Sequence, residues 1–211
     1  MVVGWEWDDV LEMEELQKAF DKDGMEEGYR MLERKRDGWK DIPLNVAVIG
    51  NSGSGKSTLI NTIRGLTADD EGAAEVGVTE TTLDIRSYPH PNNPMLKFWD
   101  LPGVGTNKFP IKTYLRDISV ERYDFFLLIT ADRFTENDTR LGKEFRKQKK
   151  KYFFVRTKIG ADILNDQKAH PKNHNEDSVV ETIRQSTADQ LKKDGCDDVP
   201  IFLIDSHEVG V

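Results

Sequence analysis

The 211-residue chain contains a single cysteine, Cys196, and no apolar run long enough to cross a bilayer. One cysteine cannot form a disulfide within the chain, which fits a reducing compartment. The first residues lack the basic region and the long apolar core of a secretory signal, so we expect a cytoplasmic protein. Basic charge is outnumbered, because 38 acidic residues face 30 basic ones and give a formal net charge of −8. This acidic balance argues against a nucleic-acid partner.

Three closely spaced glycines mark the stretch that predicts a nucleotide-binding site. It follows an apolar, β-branched run, precedes apolar residues at helical spacing, and reads Gly50, Asn51, Ser52, Gly53, Ser54, Gly55, Lys56, Ser57 and Thr58. The order matches the phosphate-binding loop (P-loop), in which backbone N–H groups surround a β-phosphate. We expect Lys56 to contact the β- and γ-phosphates and the Ser57 hydroxyl to bind Mg²⁺. The alternative is a glycine-rich turn without a ligand, which the strand–loop–helix context disfavours.

Strand-like and helix-like segments alternate along the rest of the chain. The predicted strands are 44–49, 82–88, 95–100, 123–130, 151–156 and 199–204, and the predicted helices between them are 56–65, 111–121, 137–150 and 176–194. Alternation of this kind predicts an α/β fold with a mostly parallel six-stranded sheet and helices on both faces. Ligands of such sheets bind at the carboxyl ends of the strands.

The first forty residues differ in character from the remainder. Two short amphipathic stretches there cannot bury their apolar faces alone. We therefore predict an N-terminal helical segment over residues 1–40, followed by the nucleotide-binding domain over residues 41–211.

A second phosphate-related signature follows the third predicted strand. An aspartate at the strand end, two further residues and a glycine predict that Asp100 holds Mg²⁺ through water and that the Gly103 N–H bonds the γ-phosphate. Between the two signatures lies a polar, glycine-broken stretch where GTPases have their first switch. Thr81 and Thr82 are the better candidates there for closing on Mg²⁺ and the γ-phosphate, Thr82 as a metal ligand, with Thr79 as an alternative. Each of these threonines is equally well explained as a solvent-facing or strand residue.

The guanine-recognition signature is present with one departure. Its pattern is Asn or Thr, then Lys, any residue and Asp, and the aspartate accepts hydrogen bonds from guanine N1–H and the exocyclic amine. Thr157 and Lys158 match, but Gly160 stands where the aspartate belongs. Asp162 in a shifted loop, and Ser206 after the last predicted strand, are the remaining candidates for contacting the base. A missing charged acceptor costs roughly 1.5–3 kcal/mol per hydrogen bond and weakens the preference for guanine.

The residue directly after the second signature bears on the rate of hydrolysis. Many small GTPases have a glutamine there that orients the attacking water. This chain has Val104, whose apolar side chain cannot polarise water. We therefore expect slow, weak intrinsic GTP hydrolysis unless another group supplies this function.

Together these segments resemble the immunity-related GTPases, the interferon-inducible p47 GTPases. The similarity covers roughly residues 40–205 and is carried by residues 44–66, 72–74, 78–82, 98–105, 123–126, 133–134, 137–138, 153–158 and 200–204. It implies a P-loop GTPase domain that takes GTP as substrate, releases GDP and uses Mg²⁺. Members of the family are dynamin-like, with a helical domain built from both termini, so residues 1–40 would be part of an incomplete helical domain.

The same resemblance implies a mode of action. Family members assemble on intracellular membranes in cell-autonomous immune defence and hydrolyse GTP when their G domains pair. It implies catalytic roles for Lys56, Glu80 and Arg133, the last two at positions that line the pairing surface in the family. Without the resemblance, Glu80 and Arg133 would be read as exposed charges. The expected partners are a second G domain of this chain or of a related GTPase, and an intracellular membrane that the protein contacts peripherally.

Two other functions remain open from the sequence. Val104 and Gly160 also suit a nucleotide-dependent regulator or decoy of full-length relatives with little or no turnover. Gly160 further allows a P-loop protein of relaxed specificity that takes ATP as readily as GTP.

Overall fold

The computed structural model describes residues 43–77, 84–104, 109–110, 113–131, 134–193, 195–196 and 199–205. Its strands are β1 (Leu44–Gly50), β2 (Arg86–His90), β3 (Asn93–Asp100), β4 (Phe125–Thr130), β5 (Lys151–Arg156) and β6 (Ile201–Leu203). Its helices are α1 (Lys56–Ile63), α2 (Tyr114–Asp117), α3 (Glu136–Lys147), α4 (Ile159–Ala169) and α5 (Glu176–Lys193), with a 3₁₀ turn at Val120–Arg122.

The strands form one six-stranded sheet in the order β2-β3-β1-β4-β5-β6. β2 runs antiparallel to β3, and every other neighbouring pair is parallel. β1 lies between β3 and β4, and its residues Ala47, Val48 and Ile49 are fully buried. An apolar run of this kind is typical of a strand covered on both faces. The predicted α/β fold with a mostly parallel six-stranded sheet is confirmed.

Two apolar clusters cover the two faces of the sheet. Because successive side chains of a strand point to opposite faces, Ala47 and Ile49 belong to the larger cluster and Val46 and Val48 to the smaller one. The larger cluster also contains buried residues of α2, α3 and α5, whereas α1 contributes Leu59 and Ile60 to the smaller one. Helices therefore pack on both faces, and the loops between them and the strand ends carry the site.

The helix predicted at 111–121 is shorter in the structure. Residues 111–112 lie outside the described part of the chain, α2 covers four residues, and the 3₁₀ turn follows it. Between the two, Ser119 has φ 56°. A residue other than glycine in this left-handed region cannot continue a right-handed helix, so the segment breaks there.

Sequence patterns missed α4 altogether. None of its residues, all of which are described, is buried. A helix without a buried side has no apolar stripe at helical spacing, so its sequence carries no periodic signal.

The other predicted elements differ at their ends. β1 and β5 are closely matched, whereas β4 and β6 are shorter than predicted. β2 was predicted at 82–88, of which residues 82–83 are outside the described chain, and it extends instead to His90 through Pro89. Proline fits there because β2 is an edge strand.

The predicted helical segment over residues 1–40 lies outside the described residues, so the domain boundary stays a prediction. Of the described helices, none combines the length and the apolar composition required to cross a bilayer.

Candidate functional site

The P-loop connects the carboxyl end of β1 to α1 at the centre of the sheet. Gly50 has φ 154°, and a Cβ added there would overlap the carbonyl oxygen of Ile129 on β4. Gly55 has φ 90° and is the N-cap of α1. Both positions require glycine, because a side chain would be strained or would not fit. The first turn of α1 then follows with backbone N–H groups that are suited to bind an anion.

Lys56 lies at the start of α1 with its side chain folded over the loop. Its ammonium group donates to the carbonyl of Asn51 at 3.2 Å and to that of Gly50 at 3.5 Å, and the residue is 6% exposed. Ser52 and Gly53 are exposed at the tip of the loop, and Thr58 is half-buried beyond it. A positive charge is thus held against the backbone of the glycine-rich loop, an arrangement that suits a phosphate.

Ser57 and Asp100 come together at the base of the loop. The Ser57 hydroxyl donates to Asp100 Oδ2 at 2.6 Å, and both residues are buried. β1 and β3 are parallel neighbours with Val48 opposite Asp100, so both strands end at the same edge of the sheet. A hydroxyl and a carboxylate are hard oxygen ligands of the kind that Mg²⁺ takes alongside phosphates and water. The chemistry of this pair therefore fits the Mg²⁺ that the sequence predicts.

The loop after β3 packs closely on the P-loop. A Cβ added at Gly103 would lie 3.1 Å from the backbone nitrogen of Ser52, a tight contact that would push the two backbones apart by a few tenths of an ångström. The N–H of Val104 donates to the carbonyl of Gly50 at 3.3 Å. The Val104 side chain is 5% exposed and belongs to the larger apolar cluster. It therefore contributes to packing at the position where a water-orienting group would stand.

A buried tyrosine on α2 fixes the same loop, and sequence reasoning did not single it out. The Tyr114 hydroxyl donates to the carbonyl of Pro102 at 2.9 Å, and the side chain is fully buried. Burial raises the pKa of this hydroxyl well above its ordinary value, so it stays protonated and able to donate. No local pattern marks Tyr114, because its partner lies on another segment.

Thr157 and Lys158 of the guanine signature, in the loop after β5, contact the P-loop. Thr157 Oγ1 lies 2.7 Å from the carbonyl of Ser54 and 3.2 Å from that of Thr130. The Lys158 ammonium group donates to the carbonyl of Gly53 at 2.9 Å. These contacts fix the loop after β5 against the backbone of the P-loop. The sequence predicted that the two loops belong to one site but not that they bond each other.

At Gly160, where the guanine signature would have an aspartate, the backbone contacts a carboxylate from another segment. The N–H of Gly160 donates to Asp205 Oδ2 at 2.8 Å, and Asp205 was not among the predicted contacts. Asp162, the predicted substitute, instead accepts from the Arg156 guanidinium at 2.6 Å. The structure thus directs Asp162 to an ion pair and brings a different carboxylate beside Gly160.

Asn61 on α1 anchors the stretch that leads to the first switch. Its side chain is buried, donates to the carbonyl of Ala74 at 2.9 Å and accepts from the Ala74 N–H at 2.7 Å. A polar residue on the apolar face of α1 is the sequence signal that was available for it.

Asn51 connects the P-loop to the start of α3. Its amide donates to Thr135 Oγ1 at 3.3 Å. Thr135 is the N-cap of α3 and forms a capping box with Asp138. Burial raises the pKa of the Asp138 carboxyl, and the hydrogen bonds from Thr135 oppose that rise.

Several predicted site residues lie outside the part of the chain that the structure describes and stay predictions. They are Thr79, Glu80, Thr81, Thr82, Arg133 and Ser206.

Comparison with known families shows which proteins share this sequence. Residues 10–211 match the family model described as "Interferon-inducible GTPase (IIGP)". The chain belongs to the interferon-inducible GTPase family. The resemblance inferred from the sequence is therefore confirmed.

Individual relatives agree with this membership. This family member is 43% identical over 167 residues to Interferon-gamma-inducible GTPase 10 of Mus musculus, covering 79% of the chain and 40% of the relative. It is 39% identical over 193 residues to Interferon-inducible GTPase 5 of Rattus norvegicus, covering 92% of the chain and 42% of the relative. The chain thus spans about two fifths of the length of these relatives.

Solved structures show the same fold at low identity. NFeoB from S. thermophilus, bound to GDP·AlF4⁻ and K⁺, aligns with a TM-score of 0.52 and 21% identity over 78% of this family member and 56% of that chain. The bacterial selenocysteine-specific elongation factor EF-Sec aligns with a TM-score of 0.50 and 17% identity over 79% and 26% of the two chains. The domain has the P-loop GTPase fold.

Proposed function

We propose that this chain binds GTP together with Mg²⁺ and hydrolyses GTP to GDP and phosphate. The observation that carries the proposal is the 2.6 Å contact between Ser57 and Asp100 beside a P-loop that requires glycine at Gly50 and Gly55. Membership of a GTPase family supports GTP as the nucleotide.

The residues of the chain contribute binding, orientation and charge. The loop amides and the first turn of α1 receive the phosphates, and the Lys56 ammonium group opposes their negative charge. Ser57 and Asp100 would hold Mg²⁺, which when bound neutralises charge on the phosphate oxygens. Gly103 packs against Ser52 of the P-loop, and its N–H would bond the γ-phosphate and so respond to its presence. Catalysis on this scheme comes mainly from positioning and charge neutralisation.

The proposal includes activation by pairing of two G domains, of this chain or of related GTPases. The buried apolar side chain of Val104 supports it, because a group from a second domain would have to orient the attacking water. Glu80 and Arg133 are the residues proposed for the pairing surface.

The proposal also places the protein in cell-autonomous immune defence, in the cytoplasm and peripherally on intracellular membranes. Family membership supports this assignment. Fractionation of interferon-treated cells tests it. Recovery of the chain with membranes that high salt can strip would support the proposal, and recovery in the cytosolic fraction alone would contradict the membrane part.

A second candidate is a nucleotide-dependent regulator or decoy of full-length relatives with little or no turnover. The burial of Val104 favours it as well, because no water-orienting side chain occupies that position.

Calorimetry with Mg²⁺ and GTP, GDP or ATP, combined with hydrolysis assays over a range of protein concentrations, tests these functions. We expect Mg²⁺-dependent binding that Ser57→Ala weakens by about tenfold or more, since a charged or metal-linked contact is lost. Ser87→Ala, at an exposed position on the edge strand β2, is the matched control. Specific activity that rises with concentration supports pairing, and a flat dependence rules it out. Tight binding without turnover at any concentration selects the regulator.

A further inference from the structure

The Asp205 carboxylate lies against the backbone of Gly160 in the folded domain. The Gly160 N–H donates to Asp205 Oδ2 at 2.8 Å, although the two residues are 45 positions apart. A Cβ added at Gly160 would overlap Asp205 Oδ2 and would lie 3.2 Å from Asp205 Cγ. An aspartate at position 160 would hold its own oxygens within about 2.8 Å of that Cβ. The Asp205 carboxylate therefore occupies the space that the missing side chain would fill.

The surrounding residues fix this space beside the nucleotide-binding loop. Thr157 and Lys158 each bond a carbonyl of the P-loop, at 2.7 Å and 2.9 Å. Gly160 follows them in the first turn of α4, and Asp205 follows β6, the parallel neighbour of β5. Since the loops after β1, β5 and β6 leave the same edge of the sheet, the Asp205 carboxylate lies at the base-binding side of the crevice.

Asp162 is directed elsewhere. Its Oδ2 is 2.6 Å from the guanidinium of Arg156, whose side chain is only 10% exposed. Both residues line the groove between α4 and α5, and Asp205 does not line that groove. Moving Asp162 to the base would leave a buried guanidinium without this carboxylate, which is costly.

We infer that Asp205 is the residue that specifies guanine in this chain, in place of the aspartate absent at position 160. This inference rests on the proposed nucleotide binding. A carboxylate has about four acceptor sites on its two oxygens, and guanine presents two donors to it, N1–H and the exocyclic amine. Adenine presents an acceptor at N1, which a carboxylate repels. With glycine at position 160, the Asp205 carboxylate can occupy the space next to the Gly160 backbone.

The amide variant Asp205→Asn gives the decisive measurement. Xanthine has a carbonyl where guanine has its exocyclic amine, so an amide at position 205 can donate to it while a carboxylate cannot. In calorimetry with Mg²⁺, we expect Asp205→Asn to bind GTP at least about tenfold more weakly than the unmodified chain and to gain affinity for xanthosine triphosphate. Circular dichroism establishes that the variant is folded. Asp189→Asn, which removes an exposed carboxylate on α5, should leave both affinities unchanged.

A second pair of substitutions tests the assignment without relying on the stability of Asp205→Asn. Gly160→Asp alone should weaken GTP binding, because two carboxylates would then compete for one space and repel each other. Gly160→Asp combined with Asp205→Ser should restore it to within about threefold, since the carboxylate then comes from position 160. Retention of GTP selectivity by Asp205→Asn, or a switch to xanthosine triphosphate by Asp162→Asn instead, would overturn the assignment alone. Failure of the unmodified chain to bind any nucleotide would overturn the proposed function together with it.

Discussion

At the scale of single residues, the site depends on glycines at which neighbouring backbone leaves little or no room for a side chain. Gly50 lies against the carbonyl of Ile129, and Gly103 lies against the backbone of Ser52, so both are set by the approach of neighbouring segments. Val104, directly after Gly103, is buried in the larger apolar cluster. The contributions of the Val104 side chain to hydrolysis and to stability should therefore be measured separately in one variant.

Replacing Val104 by glutamine should not create an efficient GTPase. The position is 5% exposed and apolar, so we expect the amide to be buried without partners, at a cost of about 1–3 kcal/mol in the free energy of unfolding. Urea denaturation and single-turnover hydrolysis measure the two effects, and Val76→Gln, at a 47% exposed position, is the control. An increase in intrinsic hydrolysis of about tenfold with unchanged stability would show that the side chain reaches the attacking water instead.

A comparison of two glycine-to-alanine substitutions should separate backbone strain from steric overlap. Gly65 has φ 69°, and no described atom lies within 4 Å of an added Cβ, so Gly65→Ala should cost about 1–2 kcal/mol. Gly50→Ala adds overlap with the Ile129 carbonyl and should cost clearly more, because the β1–β4 pairing must shift. Equal losses in chemical denaturation would mean that the P-loop relaxes without disturbing β4.

At the scale of elements, helix termini and strand ends organise the site more than helix faces do. The N-caps of α1, α4 and α3 are Gly55, Lys158 and Thr135, and all three lie at one edge of the sheet. The start of α3 is linked to the P-loop through the bond from Asn51 to Thr135. Loss of the α3 cap should therefore affect both the helix and the loop.

Substituting Thr135 by alanine should lower the free energy of unfolding by about 1 kcal/mol, the usual effect of losing an N-cap hydroxyl. The Thr135 hydroxyl accepts from the Asp138 N–H at 3.3 Å and donates to its carboxylate at 2.7 Å. Thr135→Ser keeps the hydroxyl and should retain most of the stability. Thermal unfolding followed by circular dichroism measures both variants, and equal losses for alanine and serine would assign the effect to the methyl group.

At the scale of the whole molecule, the order of the strands sets both the position of the site and the distribution of stability. β1 and β4 are each paired on both sides, whereas β2 and β6 have one partner in the described chain. The P-loop follows the central strand β1, so the phosphates would bind at the most rigid part of the sheet. The loops that we propose to contact the base follow β5 and β6 near the edge of the sheet, where local opening is easier.

Hydrogen exchange followed by mass spectrometry should reproduce this gradient. We expect the slowest exchange in peptides covering β1 and β4 and faster exchange in those covering β2 and β6. Adding GTP and Mg²⁺ should slow exchange in the P-loop and around residues 157–160, because a bound ligand stabilises the folded state of the segments that hold it. Protection of β6 equal to that of β1 without nucleotide would contradict a stability order set by strand position.

The sequence by itself determined the features that depend on neighbouring residues. The P-loop residues and Asp100 are recognised from short spacings, and the alternation of strand and helix segments predicted the mostly parallel sheet and the edge at which the site lies. The shortening of α2 and the existence of α4 were not predicted, because Ser119 adopts its conformation in context and α4 has no buried face.

Only the tertiary structure decided which distant groups meet. Gly160 and Asp205, and Tyr114 and Pro102, are paired by how the strands and helices pack. The Gly160–Asp205 contact joins loops after two neighbouring parallel strands, and a spacing of 45 residues carries no periodic signal for it. A short motif shows that a carboxylate is missing from one loop, but the sheet determines which other loop can bring one to the same place.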